Sequence, residues 1–294
     1  MSSSHPRLLV TAANGQLGRL VLDGLLDAAP PGTVSAAARR PEELAAYAAR
    51  GVDVRRADYA DPASLEAAMN GIDRLLLISS SEIGSRAEQH RNAIEAAHKA
   101  GVRMIAYTSV LQADTSPLAL AEEHRQTEAL LRDTGLAVGL LRNGWYLENY
   151  AFPLASAVER GVLLGSAGDG RISAAARADY AAAAVAVLLA AGEGVQVHEL
   201  AGDDSFTLAE LVAEASAQAG RLIRYQDVPE PDYRAVLLEA GLPAPLAGLL
   251  ADADSGIAKG ALFDGGHALR ALIGRPTTPW RQAVRSMVKD GQAA

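Results

Sequence analysis

Gly15 and Gly18 stand three residues apart in the run Thr11-Ala12-Ala13-Asn14-Gly15-Gln16-Leu17-Gly18, where a short apolar run gives way to helical spacing. Glycines there let a backbone approach a pyrophosphate, and the first turn of the following helix offers unpaired N–H groups and a positive dipole. The three-glycine form of such a loop would begin at Ala12, which replaces its first glycine. The pair gains meaning from its place behind the first strand of a βαβ unit; a tight strand–helix turn without a ligand is the alternative. The second signal lies at Ala36-Ala37-Ala38-Arg39-Arg40. An NAD-selective site carries Asp or Glu at that strand end, to accept from the ribose 2′-hydroxyl. A guanidinium instead offers a planar fork to a 2′-phosphate, so Arg39, with Arg40 beside it, points to NADP(H). A solvated arginine pair is the plain alternative.

The elements that must position these residues follow from periodicity. Apolar runs at Arg7–Ala12, Thr33–Ala38, Val52–Ala57, Leu75–Ile78, Val102–Thr108 and Leu136–Leu141 read as strands. Between them, helical patterns run over Gln16–Asp27, Pro41–Arg50, Asp61–Met69 with Asp61 as cap, Arg86–Ala100 stopped by Gly101, and Pro117–Asp133. Continuous apolar strands alternating with helices predict an α/β fold, a doubly wound parallel sheet covered on both faces. Later come a helix over Asp179–Ala191, a strand over Val195–Ala201 that returns to the first sheet, and a helix opened by a Thr207/Glu210 capping box. A short strand is expected within Arg221–Val228, a broken stretch between Pro229 and Pro245, and a helix over Pro245–Lys259. The expected division is a dinucleotide-binding domain over 1–150, with the strand near 195–201 returning to it, and a smaller α/β lobe over 151–294.

Bulk properties narrow the class. The 294 residues suffice for a real core, and half of them are apolar. A net charge of −8 disfavours nucleic acid as a partner, since phosphate neutralisation needs a basic face. With no cysteine, disulfides, thiolate metal sites and a cysteine nucleophile are excluded, and a cytoplasmic location is expected. The first residues lack an apolar signal core, and the longest apolar run, Tyr180–Ala191, is too short to span a bilayer. No metal is expected: the histidines lack ligand spacing, and Asp252 and Asp254 lack the rest of a calcium loop.

Over nearly its whole length the chain resembles the NmrA-like, atypical short-chain dehydrogenases, and within them the bacterial type 2 NAD(P)H:quinone oxidoreductases. The resemblance rests on Asn14-Gly15-Gln16-Leu17-Gly18, Arg56-Ala57-Asp58-Tyr59, Leu76-Leu77-Ile78-Ser79-Ser80-Ser81-Glu82 and Ile105-Ala106-Tyr107-Thr108-Ser109. It continues through Leu141-Arg142-Asn143-Gly144-Trp145-Tyr146, Ala167-Gly168-Asp169-Gly170, Arg177-Ala178-Asp179-Tyr180 and Leu272-Ile273-Gly274-Arg275-Pro276-Thr277-Thr278. The triphenylmethane-dye reductases are similar but match less well around Ser79 and Asn143. The resemblance implies a Rossmann-type NADP(H) domain, a smaller C-terminal lobe with a cleft between them, and direct hydride transfer to a quinone without flavin. Thr11, Ala13, Asn14, Gly15, Gln16 and Leu17 would then hold the pyrophosphate and Arg39 the 2′-phosphate. Asp58 and Tyr59 would lie near the adenine, and Ser79, Ser80 and Ser81 would line the cofactor. Asn143, Tyr146 and Glu148 would border the nicotinamide, and the segment carrying Arg177 would close over it.

Short-chain reductases ordinarily use Tyr-x-x-x-Lys, the tyrosine protonating a developing alkoxide. Here Leu120-Ala121-Glu122-Glu123-His124 has no tyrosine, and His124 stands at the lysine position. Hydride addition to a quinone gives a delocalised, weakly basic anion, so position matters more than a dedicated acid. Asn143, Tyr146 and His124 are the candidates nearest the chemistry. Asn143 would hold a carboxamide or acceptor oxygen, Tyr146 a ring, and His124 a ribose hydroxyl or a proton. Each also has a plain structural use, as a turn asparagine, a core aromatic and a capping histidine respectively. Reduction of ketones, imines or triphenylmethane dyes, and non-catalytic NADP sensing, are the alternative functions. A homodimer is the default assembly.

Overall fold

In the computed structural model, residues 5–190 and 192–293 are described. The chain alternates β1 (Leu8–Val10), α1 (Gln16–Ala28), β2 (Val34–Ala38), α2 (Ala45–Ala48), β3 (Asp53–Arg56), α3 (Pro62–Met69), β4 (Arg74–Leu77), α4 (Arg86–Lys99), β5 (Met104–Val110), α5 (Ala121–Arg132) and β6 (Ala137–Asn143). It continues with α6 (Ala151–Arg160), β7 (Val162–Gly165), α7 (Arg177–Leu189), β8 (Val195–Leu200), α8 (Leu208–Ala219) and β9 (Arg224–Asp227). The last helices are α9 (Glu230–Glu239), α10 (Ala244–Ala258), α11 (Ala268–Ile273) and α12 (Trp280–Ala293).

Seven strands form one sheet in the order β3-β2-β1-β4-β5-β6-β8, with parallel pairing from β3 across to β5. The expected doubly wound α/β sheet is therefore present, and β8 does return to it beside β6. Strand order reverses between β1 and β4, the point at which open α/β sheets take up ligands beyond the strand ends. On one face of the sheet Leu9, Leu75, Leu77, Ile105 and Leu140 pack in one apolar cluster with Leu65, Met69 and Ile94. Asp61 caps α3 by accepting from the Ser64 N–H at 3.2 Å, and Thr207 and Glu210 close the capping box of α8.

The chain forms two compact units that are not divided by one cut near residue 150. Residues 1–110, 123–142 and 180–198 make the first, and 111–122, 143–179 and 199–294 the second. The first gains most of α7 and of β8 because the sheet needs that returning strand. The second has its own two-stranded parallel sheet of β7 and β9, and β7 was not expected from its residues. Two expectations change. Pro41–Arg50 is not one helix but a 3₁₀ turn over Pro41–Leu44 followed by the single turn of α2. The stretch after Pro229 is broken only at 240–243: before that break it forms α9, with Pro231 in the first turn, where its missing N–H costs nothing. Among the described residues no helix is long and apolar enough to cross a membrane.

Inside the first unit, Glu128 of α5 and Arg142 of β6 form a buried ion pair, with Nη2 to Oε2 at 2.6 Å and Nε to Oε1 at 2.9 Å. The Ser109 hydroxyl donates to the same carboxylate at 2.6 Å. Breaking such a pair leaves a buried charge without its partner. Glu128→Gln should cost about 3–5 kcal/mol and lower the thermal midpoint by roughly 6 °C or more. Glu66→Gln, which opens the exposed pair with Lys99, should leave the midpoint within about 2 °C. Equal shifts in the two variants would show that the buried pair carries no special weight.

Candidate functional site

The glycine loop closes the end of β1 onto α1. The Gly15 N–H donates to the Ala12 carbonyl at 3.0 Å, and the Ala13 N–H to the Ala37 carbonyl of β2 at 3.0 Å. Ala12 takes a left-handed backbone, φ +47°, at the position where the three-glycine loop has glycine. A methyl group on Gly18 would lie 2.7 Å from both Ala12 O and Ala13 Cα, and one on Gly15 would lie 3.2 Å from Ala12 O. α1 starts at Gly15 with no side chain capping it and no acidic residue in its first turn. The helix therefore presents its leading N–H groups bare, as an anion requires. These features fit a dinucleotide pyrophosphate: α1 can start this close to the end of β1 because Gly18 carries no Cβ, and Gly15 leaves the helix start open. Leu17 points into the core, whereas Gln16 is exposed.

Both arginines after β2 face carboxylates. Arg39 Nη1 lies 2.9 Å from Glu82 Oε1, and Arg40 Nη2 lies 2.7 Å from Glu43 Oε1. Glu43 also accepts from Asn14 Nδ2 at 2.7 Å, which ties the glycine loop to the arginine loop. Asp58 and Tyr59 follow β3. Asp58 accepts from the Ala60 N–H at 3.0 Å, shaping its own turn. Tyr59 Oη stands 2.6 Å from Thr11 Oγ1 and 2.7 Å from the Ile78 carbonyl, while Thr11 donates to Leu76 O and accepts from the Ile78 N–H. Thr11, Tyr59 and the end of β4 are thus pinned together at the switch point. Burial pushes the Tyr59 phenol well above its ordinary range, so it acts as a neutral peg.

The Ser79-Ser80-Ser81 loop is held by side chains that the sequence did not single out. The Ser79 N–H donates to Thr108 Oγ1 at 2.8 Å, and Arg86 Nε donates to the Ser80 carbonyl at 2.7 Å. The Ser80 N–H donates to His90 Nε2 at 2.9 Å. Nε2 therefore carries no proton, and Nδ1–H donates to Thr127 Oγ1 at 2.9 Å. Thr127 in turn donates to the Glu123 carbonyl. Burial first, and the Arg86 charge second, hold His90 down to about 3. Ser81 is exposed. His124 is buried, with Nδ1 2.7 Å from Tyr107 Oη, and burial, Arg86 and His90 hold it well below the usual histidine range. It is neutral near pH 7, and its Nδ1 is engaged in the interior rather than open to solvent. Nothing in the spacing of α4 marked His90 as a loop anchor; its partners come from a different helix and from the loop after β4.

In the second unit, Asn143 ends β6 and Tyr146 follows it. The Asn143 side chain hydrogen-bonds the Tyr146 phenol. Asn143 Oδ1 is buried with no partner among the described residues, so the amide nitrogen is the donor to Tyr146. Burial raises the Tyr146 phenol, while Asn143 and Arg177 pull it the other way. The Arg177 guanidinium lies 4.7 Å from the Tyr146 ring centroid. The Arg177 N–H, at the start of α7, donates to Glu148 at 2.9 Å, so Glu148 caps that helix. Asn143, Tyr146, Glu148 and Arg177 thus form one connected group. Its open valence is a single buried acceptor oxygen, which suits an N–H donor such as a carboxamide.

A family model described as NAD(P)H-binding matches residues 12–191. Quinone oxidoreductase 2 of Escherichia coli K12 is 51% identical over 277 residues, which cover 94% of this chain and 97% of that one. The crystal structure of the NADPH-dependent quinone oxidoreductase of Escherichia coli complexed with NADPH matches with a TM-score of 0.93 at 51% identity, over 95% of this chain and 99% of that chain. The Citrobacter sp. triphenylmethane reductase complexed with NADP(H) matches with a TM-score of 0.91 at 33% identity, over 95% and 99%.

Two outcomes follow from this geometry. Ala12→Gly relieves a left-handed alanine worth about 1–2 kcal/mol, part of which is lost to the looser unfolded chain. The thermal midpoint should rise by roughly 2 °C; a fall would mean that the turn carries no strain. His90 has a depressed folded pKa, so its contribution to stability is full above its unfolded value of 6.5 and is lost as pH falls toward 3. That loss approaches about 1.4 kcal/mol per pH unit. His90→Gln should be less stable than wild type at pH 7.5, and the gap should narrow steadily below pH 6.5. A gap that stays constant with pH would mean that His90 does not titrate in this way.

Proposed function

The chain belongs to the NAD(P)H-binding family as an NmrA-like member, and on that premise we propose that it is an NADPH-dependent oxidoreductase that reduces quinones. One observation carries this reading: a chain with an open phosphate cradle at α1 is half identical, almost end to end, to an Escherichia coli quinone oxidoreductase crystallised with NADPH. The nicotinamide supplies a hydride, and with one proton from solvent the quinone becomes a hydroquinone.

The chain's own residues bind, orient and shield. Gly15, Gln16 and the first turn of α1 receive the pyrophosphate, and Arg39 the 2′-phosphate. Thr11, Ala13 and Tyr59 hold the floor of the switch point, with Asp58 shaping the turn beside it. Ser79 and Ser80 line it under the control of Thr108 and His90. Asn143 offers its unpartnered Oδ1 to the carboxamide N–H and so orients the ring, while its amide nitrogen holds Tyr146 in place under Arg177. His124 is a positioning residue acting through Tyr107; as a buried neutral imidazole it is a poor reservoir for the proton. A weakly basic quinone anion makes little demand for one. Reduction of triphenylmethane dyes is the second reading, favoured by the likeness to the Citrobacter enzyme.

NADPH oxidation assayed with benzoquinones, a ketone and a triphenylmethane dye should show turnover with the quinones above all. Tight NADPH binding with no turnover across the panel would sink the enzymatic reading. Arg39→Ala should lower kcat/KM for NADPH by roughly tenfold or more, the worth of a charge-assisted bond, and leave NADH within about threefold. If the variant keeps the preference for NADPH, Arg39 does not read the 2′-phosphate.

A further inference from the structure

Arg39 already has an anion. Glu82 Oε1 takes the guanidinium at 2.9 Å, and Glu82 is itself held from behind. Its other oxygen accepts from Gln89 Nε2 at 2.6 Å, and its backbone N–H donates to Ser80 Oγ at 3.1 Å. Ser80 donates its hydroxyl to Gln89 Oε1, so Gln89 and Ser80 form a buried bracket. That bracket presents one carboxylate oxygen outward, toward the end of β2. A casual surface pair has no such support. Arg39 and Glu82 are each about half exposed or more, at 65% and 48%, so the pair is open to an incoming ligand.

We propose that Glu82 is a specificity-determining residue that occupies Arg39 in place of the ligand's 2′-phosphate, so that every 2′-phosphorylated nucleotide must displace it. The inference rests on the assignment of Arg39 to the 2′-phosphate and adds a competitor to it. A phosphate carries nearly two negative charges and three acceptor oxygens at neutral pH. It wins the guanidinium from a single carboxylate, yet it still meets the Glu82 charge nearby. Glu82 therefore holds NADP(H) affinity below what Arg39 alone would give, which speeds release of the oxidised cofactor. A nucleotide with a free 2′-hydroxyl gains nothing from breaking the pair. Gln89 thus contributes to cofactor choice through Glu82 and Ser80.

The test isolates the 2′-phosphate. Calorimetric titration of the full-length protein with 2′,5′-ADP and with 5′-AMP compares ligands that differ in that group alone. Glu82→Gln should tighten 2′,5′-ADP by about three- to tenfold, since an exposed pair and a nearby like charge are worth little more than this. It should leave 5′-AMP within about twofold, and its dissociation constant for 2′,5′-ADP should rise more steeply with salt than that of wild type, because the net attraction that salt screens is larger once the carboxylate is gone. No tightening, a loosening, or an equal change for both nucleotides would overturn the proposal. Arg39→Ala separates the two levels. If it abolishes the difference between the nucleotides while Glu82→Gln changes nothing, Arg39 reads the phosphate and Glu82 does not compete. If Arg39→Ala leaves the difference intact, both assignments fall together. Glu82 is exposed enough that an unchanged thermal midpoint is expected in Glu82→Gln, which keeps the comparison on binding.

Discussion

The contact at Gly18 sets the terms for one end of the molecule. There the first turn of α1 lies so close to the end of β1 that a single methyl group would overlap the Ala12 carbonyl and Ala13 Cα. Both obstacles are backbone, so neither can swing aside. The contact decides where α1 starts, and therefore which N–H groups stand bare beyond the sheet. It also decides how sharply the chain must turn between β1 and the helix, and Ala12 absorbs that turn in a left-handed conformation that alanine does not favour. The tie from Ala13 to Ala37 then fixes the loop against β2, whose end carries Arg39. The bare start of α1 and the place of the arginine loop are thus two consequences of one close packing.

Behind this loop the first unit hides a polar interior. The strands bury apolar side chains in the ordinary way, but α4 and α5 carry His90, Thr127, His124 and Glu128 inward. Each is matched: His90 by Ser80 and Thr127, His124 by Tyr107, and Glu128 by Arg142 and Ser109. Buried groups of this kind tolerate only one arrangement, since any other leaves a donor or acceptor unsatisfied. Loops that would otherwise wander, the Ser79–Ser81 loop above all, acquire a fixed course because a helix side chain accepts their backbone N–H.

How legible this was in the sequence depended on the range of the forces at work. Local rules carried the glycine loop, the Asp61 cap, the Thr207/Glu210 box and the alternation that builds the seven-stranded sheet, because each is decided within a few residues. Pro231 was misleading for a local reason too: proline breaks a helix anywhere except in its first turn, which is where it sits. Long-range pairing was not legible. Nothing in Val162–Gly165 announces a strand until Arg224–Asp227 arrives to pair with it. His90 and Glu128 look like ordinary polar helix residues, and only the packing of distant elements turns them inward. At the candidate site the residue types were readable at Arg39 and Asn143. Their partners, Glu82 and the phenol of Tyr146, needed coordinates.

The returning strand β8 bears on how the chain is made. The first unit is complete only when residues 180–198 have joined residues 1–110 and 123–142. A ribosome delivering the chain from its N-terminus releases β6 well before β8, with residues 144–194 in between. Throughout that interval β6 is an open sheet edge, with unpaired backbone donors and acceptors that invite pairing with a neighbouring nascent chain. The strand that completes the sheet late is thus also the one that ends its exposure to aggregation, and the speed of translation through this stretch becomes part of the protein's folding problem.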